Sequence, residues 1–399
     1  MKCALTSRPI WSCVLAFVAA AISPLAIAAG GKPAYLLIGN DEKVQFDDTG
    51  KTVVGAPGSD LVSIIDIGTN PATPTVVVNL RLANTIVGPP TNLAITPDRT
   101  LALVTNSMNV VKEAGVWKYV PDNKLYVINL TLNPPTLIAT VEVGKQPSGL
   151  AINQRGDLAL IANRHGKSIS VVSIEGKEVK LVANVPTESE VAAVAITPDG
   201  KRALAVKFST HTVAVLEIDG RKVTYDKAND LPVGLWPYNI DVVPDGKLAL
   251  VANTGNFGKG DGHVDTVTVI DLATPQPSVI DHVAIGDAPE ALTISPKGDF
   301  AVAMLLGGGN MAKDHWAYKR NGTLALLKIS GKQVTKIGEI PLGHLPQGVA
   351  FSPDGNYLYI SNFLDGELWV FKVEGTSVTD TGYHLRLPGH PASMRSANH

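Results

Sequence analysis

Short runs of alternating apolar and polar residues recur along most of the chain, separated by clusters of Pro, Asp, Gly and Asn, which is the pattern of half-buried strands joined by tight turns. Between them stand runs that are apolar on both faces and end in Asn: Leu101 to Asn106 (LALVTN), Leu158 to Asn163 (LALIAN), Leu248 to Asn253 (LALVAN) and Tyr357 to Asn362 (YLYISN), with looser copies at Ala203 and Phe300. Each follows a turn-forming triplet: Asp48-Thr49-Gly50, Pro97-Asp98-Arg99, Gln154-Arg155-Gly156, Pro198-Asp199-Gly200, Pro244-Asp245-Gly246, Pro296-Lys297-Gly298 or Pro353-Asp354-Gly355. Proline presets φ, aspartate bonds its own backbone and glycine accepts positive φ, so the triplets read as hairpin turns. A third, β-branched strand completes each unit, as at Val62 to Ile67, Ile169 to Ile174 and Val267 to Leu272, and segments such as Thr136 to Val143 and Val334 to Ile340 supply a fourth. Seven such units of roughly 50 residues follow one another.

A strand that is apolar on both faces must be covered on both faces. Stacking small sheets radially does this and hides most strand edges, so the expected fold class is all-β, a seven-bladed β-propeller of four-stranded antiparallel blades, with eight blades as the alternative. No period of 3.6 persists over a dozen residues beyond the N-terminal segment, and a β-helix would need much shorter repeats. Ring closure has competing candidates: Ala34 to Ile38 or Thr381 to Leu387 as an outer strand, and His390-Pro391 as the start of a further inner strand.

The motifs LVTN, LIAN, LVAN and YISN, each behind a Pro-Asp-Gly-like turn, resemble the YVTN-type seven-bladed propeller repeat family, over about residues 40 to 390. The chain is similar in this respect to lactonase-like and YncE-like propellers. The resemblance implies that the loop before each inner strand and the loop between second and third strands emerge on one face. Glu190 and Val191 replace the proline found before other inner strands, and Arg99 replaces a turn glycine, which blurs the blade boundaries.

Composition adds compartment rather than chemistry. Lys2 and Arg8, the apolar run Ile10 to Ile22, Pro24 and Ala26-Ile27-Ala28 read as a secretory signal over residues 1–28, leaving 29–399 as one propeller domain in the periplasm or outside the cell. Cys3 and Cys13 are the only cysteines and both leave with that segment, so the mature chain is expected to have no disulfide, thiolate metal site or cysteine nucleophile. The net charge of −2 offers no basic stripe for nucleic acid, and no later stretch is long enough to span a bilayer.

Candidate chemistry sits in the loops. Spacers between second and third strands are long at Ser107 to Lys124, Thr254 to Asp265 and Leu306 to Gly322. With the inner-strand entries they supply Arg164, His165, Lys207, Trp236, Tyr238, Glu290, His315, His344, Gln347 and His390 as candidate ligand-binding residues. Trp and Tyr can stack on a ligand while Arg, Lys and His donate to carboxylate or carbonyl oxygens. His263, Glu290, His315 and His344 have metal-ligand chemistry, but the sequence does not place them together, and no metal or other cofactor is assigned. Gly258-x-Gly260-x-Gly262 and Gly307-Gly308-Gly309 lack the strand-to-helix setting of a phosphate loop. No Gly-x-Ser-x-Gly, His-Glu-x-x-His or Cys-x-x-Cys-His motif occurs.

The resulting expectation is a binding or scaffold propeller presenting a loop-rich face to a small molecule, glycan or protein. The alternatives are a lactonase-like hydrolase, with Glu290 or His344 as general base and Arg164 or Lys207 as oxyanion partner, and an accessory protein of a periplasmic dehydrogenase.

Overall fold

A computed structural model describes residue 1 and residues 33–47, 49–84 and 90–397. The segment expected to be a secretory signal therefore lies outside the described residues, apart from Met1, as does Asp48. All described strands belong to one unit, Pro33–His399. All but one small hairpin form seven four-stranded antiparallel blades, the fourth carrying a split outer strand. Written from the inner strand outward, blade 3 runs Pro147–Ile152, Leu158–Asn163, Ser168–Glu175 and Glu178–Pro186. Blade 5 repeats it with Pro237–Val242, Leu248–Asn253, Asp265–Asp271 and Ser278–Gly286.

The doubly apolar second strands explain the ring. Every residue of Leu158–Asn163 and Leu248–Asn253 is buried. Alternate side chains enter the clusters on either side, so that Leu250 packs toward blade 6 and Ala249 and Val251 toward blade 4. Seven apolar clusters result, one at each interface between neighbouring blades, including blade 7 against blade 1. Burial on both faces is what an open stack of these sheets could not provide at its ends.

Closure is made by the C-terminal strand. His390–Ser396 pairs with Tyr35–Asp41, giving blade 1 the order His390–Ser396, Tyr35–Asp41, Leu61–Asp66, Thr75–Arg81. His390-Pro391 thus begins an inner strand. Ala34 to Ile38 is a correction: it lies second in blade 1, with partners on both sides, because its residues are apolar on both faces. Thr381 to Leu387 largely falls in the outer strand Ser377–Arg386 of blade 7. The start of Tyr35–Asp41 and the end of His390–Ser396 therefore occupy the place of blade 1's first turn. For that reason Thr49-Gly50 is not a blade turn; it closes a separate hairpin, Val44–Phe46 with Thr52–Val54, inserted after the second strand of blade 1.

The repeated asparagine has a structural duty. Asn163, Asn253 and Asn362 end the second strands of their blades, Asn40 and Asn106 hold the equivalent place in strands that run on to Asp41 and Glu113, and all five are buried. The Nδ2 groups of Asn40, Asn163 and Asn253 each donate at 2.9 Å to a hydroxyl on the third strand, of Ser63, Ser170 and Thr268 respectively. In blades 3 and 5 that hydroxyl accepts from a glycine N–H just after the outer strand of the preceding blade, Gly144 at 3.0 Å and Gly234 at 3.2 Å. A Cβ on either glycine would collide with the asparagine side chain. Blade 4 substitutes Lys207 and blade 6 Leu305 at this rung.

Candidate functional site at the channel mouth

Inner strands start at one end of the channel and finish in the Pro-Asp-Gly turns at the other. The loops before inner strands and the loops between second and third strands consequently share the starting end. Of the three long spacers, Ser107 to Lys124 is corrected from a loop to an arm: Leu101–Glu113 and Val116–Asn129 continue as a paired hairpin around Ala114-Gly115, both at positive φ. The other two remain irregular.

In every blade but the second the inner strand enters through a bulge opposite the asparagine rung, and the residue after the entry proline, or after Val191 in blade 4, recurs once per blade. These seven equivalent residues are Ala392, Thr91, Ser148, Ala192, Tyr238, Glu290 and Gln347 in blades 1 to 7, all buried. Four blades place a small side chain there. Blades 5, 6 and 7 place three large polar ones side by side, so the mouth is lopsided.

Glu290 is 6% exposed, and burial pushes its carboxyl up to about 8 although the Gln347 amide opposes the rise. Gln347 Nε2 donates to Glu290 Oε2 at 3.3 Å. At neutral pH the carboxyl is mostly protonated and can donate as well as accept. Gln347 Oε1 and Thr91 Oγ1 are buried without a hydrogen-bond partner.

Next to this ring stands an aromatic wall. Phe208 lies 5.0 Å from Trp236, 5.5 Å from Tyr238 and 5.4 Å from Phe257 between ring centroids, and Trp236 meets Phe257 edge-on at 4.8 Å. Arg164 carries its guanidinium 4.8 Å from the Phe208 ring centre and 5.9 Å from that of Tyr238, within cation–π range. Its Nε is buried and unpartnered. His211 Nδ1 accepts from the Trp236 N–H at 3.0 Å, fixing Trp236 in its left-handed φ of +52°.

The remaining candidates are dispersed. Lys207 turns into blade 4, where its ammonium pairs with Asp230 at 2.7 Å and donates to Tyr225 Oη at 2.9 Å. His390 stacks on Phe363 and bonds its carbonyl at 3.0 Å. His165 is exposed on the turn after Arg164. His344 is half-buried; burial, with Arg320 adding to it, holds its imidazole below the usual histidine range. His263 and His315 line a separate open cavity of about 300 Å3 with Asn310 and Trp316. No three His, Cys, Asp or Glu side chains gather as a metal site among the described residues; His263 and His315 share that cavity, whose lining includes neither Glu290 nor His344. In the glycine-rich loop of blade 5 the N–H groups of Asp261 and Gly262 each donate to the Asp287 carboxylate at 3.0 Å, so they are not available to a phosphate.

Sequence reasoning missed Phe208, His211 and Phe257. Phe208 was findable: it follows the asparagine rung as Arg164 and Thr254 do. Phe257 and His211 lie in loops whose path no repeat pattern dictates. Leu235, Phe257, Val264 and Trp316 leave large apolar surface exposed on the same face.

The fold and this mouth define a seven-bladed propeller with its variable loops at one opening, and solved structures of that class match the chain over most of its length. A provisionally named 6-phosphogluconolactonase from Bacteroides fragilis is 17% identical with a TM-score of 0.68, covering 91% of this chain and 98% of that one. The Pseudomonas aeruginosa periplasmic gluconolactonase PpgL is 18% identical with a TM-score of 0.64, covering 92% and 99%. Kuenenia stuttgartiensis hydrazine synthase is 15% identical with a TM-score of 0.59, covering 79% and 91%. No family model and no curated protein sequence matches the chain. Likeness at this identity establishes fold, while function rests on the site. No helix among the described residues is long and apolar enough to cross a membrane.

Proposed function

We propose that the protein is a periplasmic or secreted binding propeller of the YVTN type that takes a small organic molecule at the loop-rich mouth. One observation carries the reading: Thr91 Oγ1 and Gln347 Oε1 are buried and unpartnered on the same ring of entry residues as the protonated Glu290, and Arg164 Nε is buried and unpartnered against the aromatic wall. Buried polar atoms left without partners around an opening are what a ligand or its water would satisfy. A ligand with a flat or sugar-like face and one or two carbonyl or carboxylate oxygens matches this set: the rings take its face, Arg164 and the neutral Glu290 donate, and Gln347 accepts a hydroxyl. Titration of sugar acids, lactones and aromatic acids, followed by tryptophan fluorescence and calorimetry, tests it. Saturable binding that weakens about tenfold or more in Arg164→Ala and Glu290→Gln is expected, the scale of losing a charge-assisted hydrogen bond. Absence of saturable binding across the panel, or binding indifferent to both variants, rejects it.

A second reading, lactone hydrolysis, is favoured by the pKa of Glu290 and by the names of two structural neighbours. Water would add to the lactone carbonyl carbon, its proton passing to ionised Glu290 and from there to the ring oxygen as the ring C–O bond breaks. Arg164 would stabilise the oxyanion; Lys207 is committed to Asp230. Hydrolysis unchanged in Glu290→Gln removes this reading and leaves the binding one standing.

A further inference from the structure

The turn-lined end of the channel holds a second feature, remote from the mouth. A cavity of about 180 Å3 lies among the lower inner strands, with Ile95, Leu150, Val194 and Ile240 in its lining and Pro198 and Pro244 of the turns at its rim. Among the described residues its only charged lining groups are Asp241 and Arg395. Asp241 is already engaged: Oδ2 accepts from the Ile294 N–H at 2.9 Å and Oδ1 from the Val242 N–H at 3.0 Å. Arg395 reaches the cavity from the closing strand of blade 1, which pairs it with Leu37 through the backbone. No hydrogen bond or ion pair joins its guanidinium to another described residue; burial lowers its pKa, and the Asp241 carboxylate opposes that electrostatically without bonding to it. A guanidinium does not lose its charge in a protein, so a cation with N–H donors lines a space whose walls are part aliphatic and part polar, with Asn153, Gln154 and Thr197 among the latter. Such a group is costly to leave unpaired, which is the argument for an anion there.

We propose that this cavity binds a small monocarboxylate, its carboxylate held by the Arg395 fork and its hydrocarbon body, about three to six carbons, against the isoleucine, leucine and valine lining. The size follows from volume: an apolar cavity of about 150 Å3 accommodates a benzene ring. The charge follows from Asp241, which faces the same space and disfavours a dianion. The planar fork matches a carboxylate in two parallel hydrogen bonds.

The test uses the intact secreted chain with butyrate, hexanoate, benzoate and inorganic phosphate as probes, by calorimetry and by amide chemical-shift mapping. Saturable binding of the organic acids, stronger for hexanoate than butyrate, with shifts at Ala151, Ile196 and Val242, is expected. Arg395→Met should weaken it about tenfold or more and Arg395→Lys to a lesser degree, since lysine keeps the charge and loses the fork. Shifts confined to the loop-rich mouth, phosphate binding as tightly as the acids, or affinity unchanged in Arg395→Met would each overturn the assignment. The wild-type shift map decides the matter even if the methionine variant does not fold.

Discussion

Replacing Glu290 by glutamine should stabilise the protein, by an amount that grows with pH. In the unfolded chain this carboxyl titrates near its ordinary value of 4.5, whereas in the fold burial lifts it to about 8. Between those two values the folded protein holds a proton that the unfolded chain has released. Stability is therefore fully present below about pH 4.5 and falls as pH rises toward 8, by about 1.4 kcal/mol per pH unit. At about pH 7 the accumulated cost is roughly 3 kcal/mol. Glutamine mimics the neutral acid in size and in its bond with Gln347, but never ionises. The difference in unfolding free energy between Glu290→Gln and wild type, measured by urea denaturation at several pH values, should start near zero at about pH 4.5 and rise to several kcal/mol by about pH 8. Other titrating groups cancel in that difference. A difference that stays flat over this window refutes the buried, proton-holding carboxyl and with it the main chemical feature of the mouth. A residue that costs its own fold stability is the kind that site chemistry retains.

Four further outcomes are measurable. Lys207→Met should cost about 3 kcal/mol in chemical denaturation by stranding Asp230, and adding Asp230→Asn should recover part of it. Asn253→Ala removes bonds to Thr268 and to the Thr266 carbonyl and should cost about 2 kcal/mol; a loss under about 0.5 would contradict the structural reading of the repeated asparagine. Arg99 holds φ of +59° where most of the other blade turns use glycine, so Arg99→Gly should raise stability by about 1 kcal/mol in the same assay. Trp236→Ala should weaken ligand binding at the mouth by about tenfold while leaving the far-ultraviolet spectrum of the strands unchanged.

The blade plan was legible because it is periodic: burial on both faces of LALIAN and LALVAN forces neighbours on both sides, and seven copies leave little choice but a ring. Closure was only half legible. Tyr35–Asp41 and His390–Ser396 each look like ordinary strands, and nothing local says that the last should enter inside the first. At the site, Tyr238, Glu290 and Gln347 could be aligned from the repeat because they follow the inner-strand prolines. Their consequence could not, since the small residues at Ala192 and Ala392 make the mouth asymmetric only once the ring is assembled. Lys207 misleads in sequence for the opposite reason: it stands on the buried rung of the repeat, where a lysine must find Asp230 inside the blade.

The most direct test follows the Glu290 side-chain carboxyl by 13C NMR from about pH 5 to about pH 9, with and without a saturating mouth ligand from the binding panel. A titration midpoint near 8 in the free protein that moves when the ligand binds is the predicted result. A midpoint near the ordinary 4.5, or one that the bound ligand leaves unmoved, would contradict the account.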